Sequence, residues 1–354
     1  MRLWKSKTSR KNIITLGFVT VAFVIILLLR GAGVISYSMQ GQLVPICAWI
    51  IMAVSLNLTV GILGELSLGH AGFMSIGAFS GVIAIEYLRP YISNNIVLTS
   101  IAVVVGMIFA ALAGVVVGIP ALRLKGDYLA IVTLAFGEII KNVLNCVYVS
   151  TDNGKLIFRM FNAIENSNAV PIVNGAMGAN ISSKMSSFEF GFVLVIISLL
   201  IIMNVVHSKE GRAIKAIRDN SIAAESVGLN ITAYKMKGFV LSAALAGMAG
   251  VLYATEIRTV AAQKFDFNTS INVLVMVVLG GMGSIRGSVI AAVLLTVLPE
   301  KLRFMQDYRM LIYAIILILV MVLNLNERIP ALFQKISFRK PSSGKETAKE
   351  VDSE

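Results

Sequence analysis

The chain has 354 residues, of which 57% are hydrophobic and 14% charged, and a mean hydropathy of +0.83. Those proportions exclude a water-soluble globular domain and place the chain in the membrane class. The net charge of +12 does not indicate nucleic acid, because the basic residues stand in short clusters between apolar runs without aromatic interleaving, so we read the charge as setting topology.

Residues 1–12 form a basic N-terminus with Arg2, Lys5, Lys7, Arg10 and Lys11, and an uncharged run from Ile13 to Leu29 follows. A signal peptide has a similar profile. This run is longer than a usual signal core and many apolar segments follow it, so it reads as an uncleaved first span. Further apolar segments cover 43–63, 70–88, 96–118, 129–147, 188–206, 238–255, 271–283, 285–298 and 310–326. A bilayer core of roughly 30 Å takes about 20 helical residues per crossing. The expectation is an all-α, polytopic integral membrane protein over 13–334, with about 8–10 transmembrane segments including short or broken helices. Cys47 and Cys146 lie in apolar stretches without metal or redox spacing and read as packing residues.

With the N-terminus inside, Arg123, Lys125, the segment 207–237, Arg286 and the tail 335–354 fall on the cytoplasmic side. Lys301, Arg303 and Arg309 then face outside, partly offset by Glu300 and Asp307. Residues 148–187, with asparagines at 153, 162, 166, 168, 174 and 180, read as an extracytoplasmic loop. The tail 335–354 is polar and reads as disordered.

Three polar constellations interrupt the apolar pattern. The first runs from Gly61 to Gly72 and holds Glu65, Ser67, Gly69 and His70. Glycines allow backbone to unwind, and ionisable groups at membrane depth normally face protein or an aqueous cavity. These residues mark either a helix break beside a pathway or a short wetted turn. The second is Glu138 with Lys141 three residues on, a spacing that suits a helical ion pair; Glu138 is alternatively a wall of a polar path. The third is the segment 207–237, where Arg212, Lys215 and Arg218 make a basic face and Ile214 and Ile217 an apolar one. Asn220 or Ser221 can cap a second short helix that Gly228 ends. Such a corner is a docking surface for a partner or for anionic lipid. Between the two short late segments lies Gly280-Gly281-Met282-Gly283-Ser284-Ile285-Arg286-Gly287, which implies an inward turn or a broken element. No phosphate-cradling G-x-x-x-x-G-K-[ST], metal-spaced histidine pair, G-x-S-x-G or paired carboxylates occur, so the sequence supports neither an ATPase nor a membrane enzyme.

At these constellations the chain resembles the LivM-type permease subunits of branched-chain amino acid ABC importers. LSLGHAGF at 66–73, LRLKGDYLAIVTLAFGEII at 122–140, GRAIKAIRDNSIAAESVGLN at 211–230 and VLGGMGSIRGSVIAAVL at 278–294 carry the resemblance, which extends over roughly 43–330. It implies a multi-pass subunit in a bacterial or archaeal cytoplasmic membrane, with both termini cytoplasmic. Its partners would be membrane lipid, a second LivH-like permease chain, two ABC ATPase subunits and an extracytoplasmic solute-binding protein. ATP and Mg would belong to the ATPases, with no cofactor, metal or nucleic acid on this chain. Arg212, Lys215, Arg218, Asp219, Ala223, Ala224, Glu225 and Gly228 would then form the ATPase-coupling loop. Glu65, Ser67, Gly69, His70, Glu138, Gly280, Gly281 and Gly283 would line the path or gate. The substrate expected is Leu, Ile or Val; similar permeases are associated with urea or short amides. An ion-coupled secondary transporter is the alternative mechanism, with Glu65, Glu86 or Glu138 as its carboxylate.

Overall fold

Without water to receive backbone hydrogen bonds, an apolar chain satisfies them internally, and helices dominate here accordingly. A computed structural model describes residues 7–302 apart from 34–35, 125, 153–154, 162–169 and 183–184, and beyond them residues 308, 311–312, 314–315 and 318. The chain divides into two units, Met1–Phe304 and Met305–Glu354. Most of the apolar segment 310–326 and all of the tail 335–354 lie outside the described residues, as do Arg2, Lys5, Lys125, Arg303, Arg309 and the asparagines at 153, 162, 166 and 168.

In the first unit α1 (Lys7–Gly31) is followed by α2 (Tyr37–Asn57), which passes directly into a π-helical turn over Leu58–Leu63. Then come α3 (His70–Leu88), α4 (Asn95–Ala121), α5 (Asp127–Asn145) and α6 (Phe188–His207). Two short helices, α7 (Lys209–Asp219) and α8 (Ser221–Ser226), lead into α9 (Ile231–Ile257), and α10 (Phe267–Gly280) and α11 (Ile285–Lys301) close the described part. Among the described residues six helices are long and apolar enough to cross a bilayer: α2 with its π-turn, α3, α4, α5, α6 and α9. The chain is therefore a polytopic helical membrane protein, with α10 and α11 as the two short segments at 14 and 17 residues.

α9 runs along α3 and α4 and against α2, and the interior lies around it. The contact depends on small residues. A Cβ built on Gly77 of α3 would stand 2.2 Å from the Gly247 carbonyl oxygen of α9, and one on Gly247 would stand 2.4 Å from the Ala110 Cβ of α4. Any larger side chain would push the helices apart. Phe73 and Phe239 meet edge to face across α3 and α9 at 5.6 Å. α1 packs on α6 through Phe23, stacked 3.7 Å from Phe192, and Arg30 pairs with Glu189 at 3.1 Å.

The segment read as a loop contains strands. β1 (Val147–Asp152), β2 (Lys155–Met160), β3 (Val170–Asn174), β4 (Ala179–Asn180) and β5 (Thr259–Val260) form an antiparallel sheet in the order β2-β1-β3-β4-β5. It sits where α5 and α9 finish. Glu86, near the end of α3, accepts from the Ser182 backbone N at 2.8 Å and from its hydroxyl at 3.0 Å, tying the chain to this end. At the opposite end lie α7 and α8. α9 begins at Ile231, capped by Asn230, so the last residues of the predicted polar loop 207–237 already belong to a helix.

Candidate functional site

Around the Gly61–Gly72 break several elements converge. The π-turn ends at Gly64, whose φ of 77° lies in the left-handed region open to glycine, and the chain runs without helix until α3 starts at His70. Each part of this break is held by a different neighbour. The Gly61 carbonyl accepts from Arg218 Nη1 of α7 at 2.9 Å, and Glu65 pairs with Lys235 of α9. The Leu68 N donates to Thr133 Oγ1 of α5 at 3.1 Å, and the Ala71 N donates to Ser270 Oγ of α10 at 3.2 Å. Asn57 Oδ1, one turn before Gly61, accepts from the Gly283 N in the α10–α11 turn at 2.8 Å. Through these bonds a displacement of α7 would be felt at the break, and the break is shared with α5, α9, α10 and the glycine turn.

Behind the break lies a buried chain of hydroxyls and one imidazole. Ser55 Oγ is 2.8 Å from His70 Nε2, Ser242 of α9 donates to the Ser55 carbonyl at 2.6 Å, and Thr59 donates to Ser242 Oγ at 2.8 Å. Ser55 and Thr59 are fully buried and His70 is 1% exposed, which makes His70 a group bonded within the interior. Ser67 Oγ and Asn57 Nδ2 are buried there without a hydrogen-bond partner. Gly69 presses on α5: a Cβ at that position would stand 1.9 Å from the Thr133 carbonyl oxygen.

The late glycines make a tight turn between two short helices. Gly281 and Gly283 have φ of 86° and 83°, and a Cβ on Gly287 would stand 1.6 Å from the Gly280 carbonyl oxygen. Of the two alternatives, two separate short helices joined by a turn are present, with Gly283 against Gly61 and Met282 66% exposed. Glu138 is not in this cluster. It pairs with Lys141 on α5, and its side chain is 37% exposed.

α7 and α8 form a corner whose local structure follows from its caps. Ser208 Oγ accepts from the Gly211 N at 3.1 Å, Asn220 Oδ1 accepts from the Ala223 N at 3.0 Å, and Gly228, with φ of 85°, follows the end of α8. Ile214 and Ile217, each 2% exposed, and Ala224 at 4% face the membrane helices. Arg212, Asp219, Ala223, Glu225 and Gly228 are exposed and Lys215 is half-buried. The apolar side chains of Ile222 and Val227 are 81% and 78% exposed, the largest such values outside the spanning helices. Arg218 departs from the basic outer face that its spacing suggests. Its guanidinium turns inward to the Gly61 carbonyl while also pairing with Asp219 at 2.9 Å.

Sequence reasoning passed over Ser55, Asn57, Thr133, Lys235, Ser242 and Ser270. Lys235 apart, which stands in the polar segment 207–237, their common signal is a polar residue inside an otherwise apolar run, which in lipid requires a partner.

Residues 38–321 match the family described as branched-chain amino acid transport system / permease component. The high-affinity branched-chain amino acid transport system permease protein LivM of Salmonella typhimurium is 35% identical over 286 residues, covering 77% of this chain and 66% of the relative. LivM of Escherichia coli is 34% identical over the same length and shares. A probable LivM of Methanocaldococcus jannaschii is 26% identical over 267 residues, 67% of this chain and 73% of the relative. The chain thus spans just under two thirds of the length of the two bacterial relatives. No solved structure matches it. The matched residues contain the break, the α7–α8 corner and the glycine turn, and the chain belongs to the permease-component family of branched-chain amino acid transport systems.

Proposed function

We propose that this chain is the membrane subunit of an ATP-binding cassette importer that moves branched-chain or similar small amino acids by alternating access. In this reading α7–α8 faces the cytoplasm and seats an ATPase subunit, a second permease chain completes the route, and an extracytoplasmic binding protein delivers the solute. The observation that carries the reading is the corner itself. It presents exposed Ile222 and Val227, an arrangement typical of a protein-docking patch, on a helix pair whose inner side is bonded through Arg218 to the helix break. A force applied at the corner has a direct bonded route into the membrane helices.

Glu65 and Glu86 are paired with Lys235 and Arg89, which favours this reading over an ion-coupled carrier built on either carboxylate. Reconstitution with the partner subunits tests the proposal. Ile222→Asp is expected to abolish ATP-driven leucine uptake and ATPase association while membrane insertion stays normal. Uptake without any ATPase subunit would contradict it, and a binding protein that takes urea and ignores leucine would redirect the substrate to short amides.

A further inference from the structure

α5 is the least enclosed of the six long helices: 17% of its apolar window lies inside the protein, against 83% for α9. Its outward stripe is apolar at Ile131 and Ile139, 60% and 55% exposed, but it also carries Asn142, exposed, and the Glu138–Lys141 pair at its edge. Glu138 stands about 2 Å along the helix axis from the midpoint of the span. At that depth Lys141 neutralises the carboxylate, and the exposed part of the pair still calls for water or a polar group instead of hydrocarbon.

α10 continues the same polar surface. It touches α5, its exposed side chains include Asn268 and Asn272 one helical turn apart, and Lys141 interacts electrostatically with Asp266 at its N-terminus. The depth of these asparagines follows from their neighbours. Ser270, between them, accepts from the Ala71 N, and the adjoining Gly69 lies against Thr133 and Gly137 in the middle of α5. Two neighbouring helices therefore carry an anion–cation pair, with Lys141 19% exposed, and three exposed amide side chains, running from near the midpoint of α5 toward its C-terminal end. α4, by contrast, is apolar over the middle of its outward face, including Ile108 and Phe109, each 53% exposed, and its exposed Asn95 and Ser100 lie in its first two turns.

We infer that Glu138, Lys141, Asn142, Asn268 and Asn272 form a binding site for the charged end of an α-amino acid zwitterion in a water-filled route beside α5 and α10. The Glu138 carboxylate receives the substrate ammonium, Lys141 and the amides receive its carboxylate, and Ile139 and Ile131 offer apolar surface to a branched side chain. The site rests on the permease reading and adds the substrate contacts that the reading lacks.

The test uses the complete reconstituted importer with Cys47 and Cys146 replaced by alanine, single cysteines at chosen positions, and a charged, membrane-impermeant thiol reagent. Asn272→Cys and Ala135→Cys are expected to react, and leucine at saturating binding protein is expected to slow the reaction. Ile108→Cys, facing lipid, is expected to stay unreactive. In a separate pair of variants, Glu138→Gln and Lys141→Gln are expected to lower maximal leucine uptake about tenfold while ATP hydrolysis stimulated by loaded binding protein persists. Asn272→Cys as unreactive as Ile108→Cys would overturn the inference, because a residue in a water-filled route must react. Reaction without leucine protection, together with unchanged uptake in both charge variants, would overturn it equally. Failure of the permease reading has a different sign: the unsubstituted complex then gives no ATP-dependent leucine uptake at all.

Discussion

α9 and α5 use polar residues in opposite ways. Beyond its first two turns, those of α9 turn inward and find partners: Ser242 bridges Thr59 and the Ser55 carbonyl, and Glu256 accepts from Ser186 at 2.9 Å. Those of α5 divide. Thr133 faces the helix break, whereas Glu138 and Asn142 look outward. Apolar content does not separate the two cases, since α4 is more apolar than α9 and much less enclosed. In lipid the hydrophobic effect does not select which helix goes inside; small residues that permit close approach and polar groups that need partners do.

That contrast can be broken most forcefully at Gly247. Leucine there would drive α9 away from α3 and α4, and we expect a loss of about 3 kcal/mol or more, read as a collapse of the thermal transition in detergent. An unchanged transition would mean that the three helices are not in contact. Next comes Ser55→Ala, which leaves the buried His70 Nε2 without its hydroxyl partner and is expected to lower stability by about 1–3 kcal/mol in the same assay. The smallest effect sharpens the comparison from the other side. Ala135→Leu on the outward face of α5 is expected to change stability by less than about 0.5 kcal/mol.

Much of this architecture is legible in the sequence for identifiable reasons. The break at Gly61–Gly72 and the turn at Gly280–Gly287 are visible because ionisable groups or clustered glycines do not sit in a lipid-facing helix. The α7–α8 corner is visible through its caps, and Asn220 and Gly228 take the roles that their residue types predict. The sheet is hidden because Val147-Tyr148-Val149-Ser150-Thr151, a run with strong strand preference, adjoins the apolar span 129–147 and shares its last residue. The start of α9 is hidden because Lys235 and Lys237 make its first turns look like loop, although Asn230 is a serviceable cap. The inward turn of Arg218 is not encoded in helical spacing. It depends on the position of a carbonyl 157 residues away in sequence.

The central claim is that α7 is bonded into the break, so that motion at the corner reaches the membrane helices. In the importer proposed above, Arg218→Gln tests it most directly, with ATP hydrolysis and leucine uptake measured on the same proteoliposomes. Loss of the charged hydrogen bond to the Gly61 carbonyl is predicted to lower uptake about tenfold while the ATPases remain bound and active. Uptake and its coupling to hydrolysis both equal to those of the unsubstituted complex would contradict the claim.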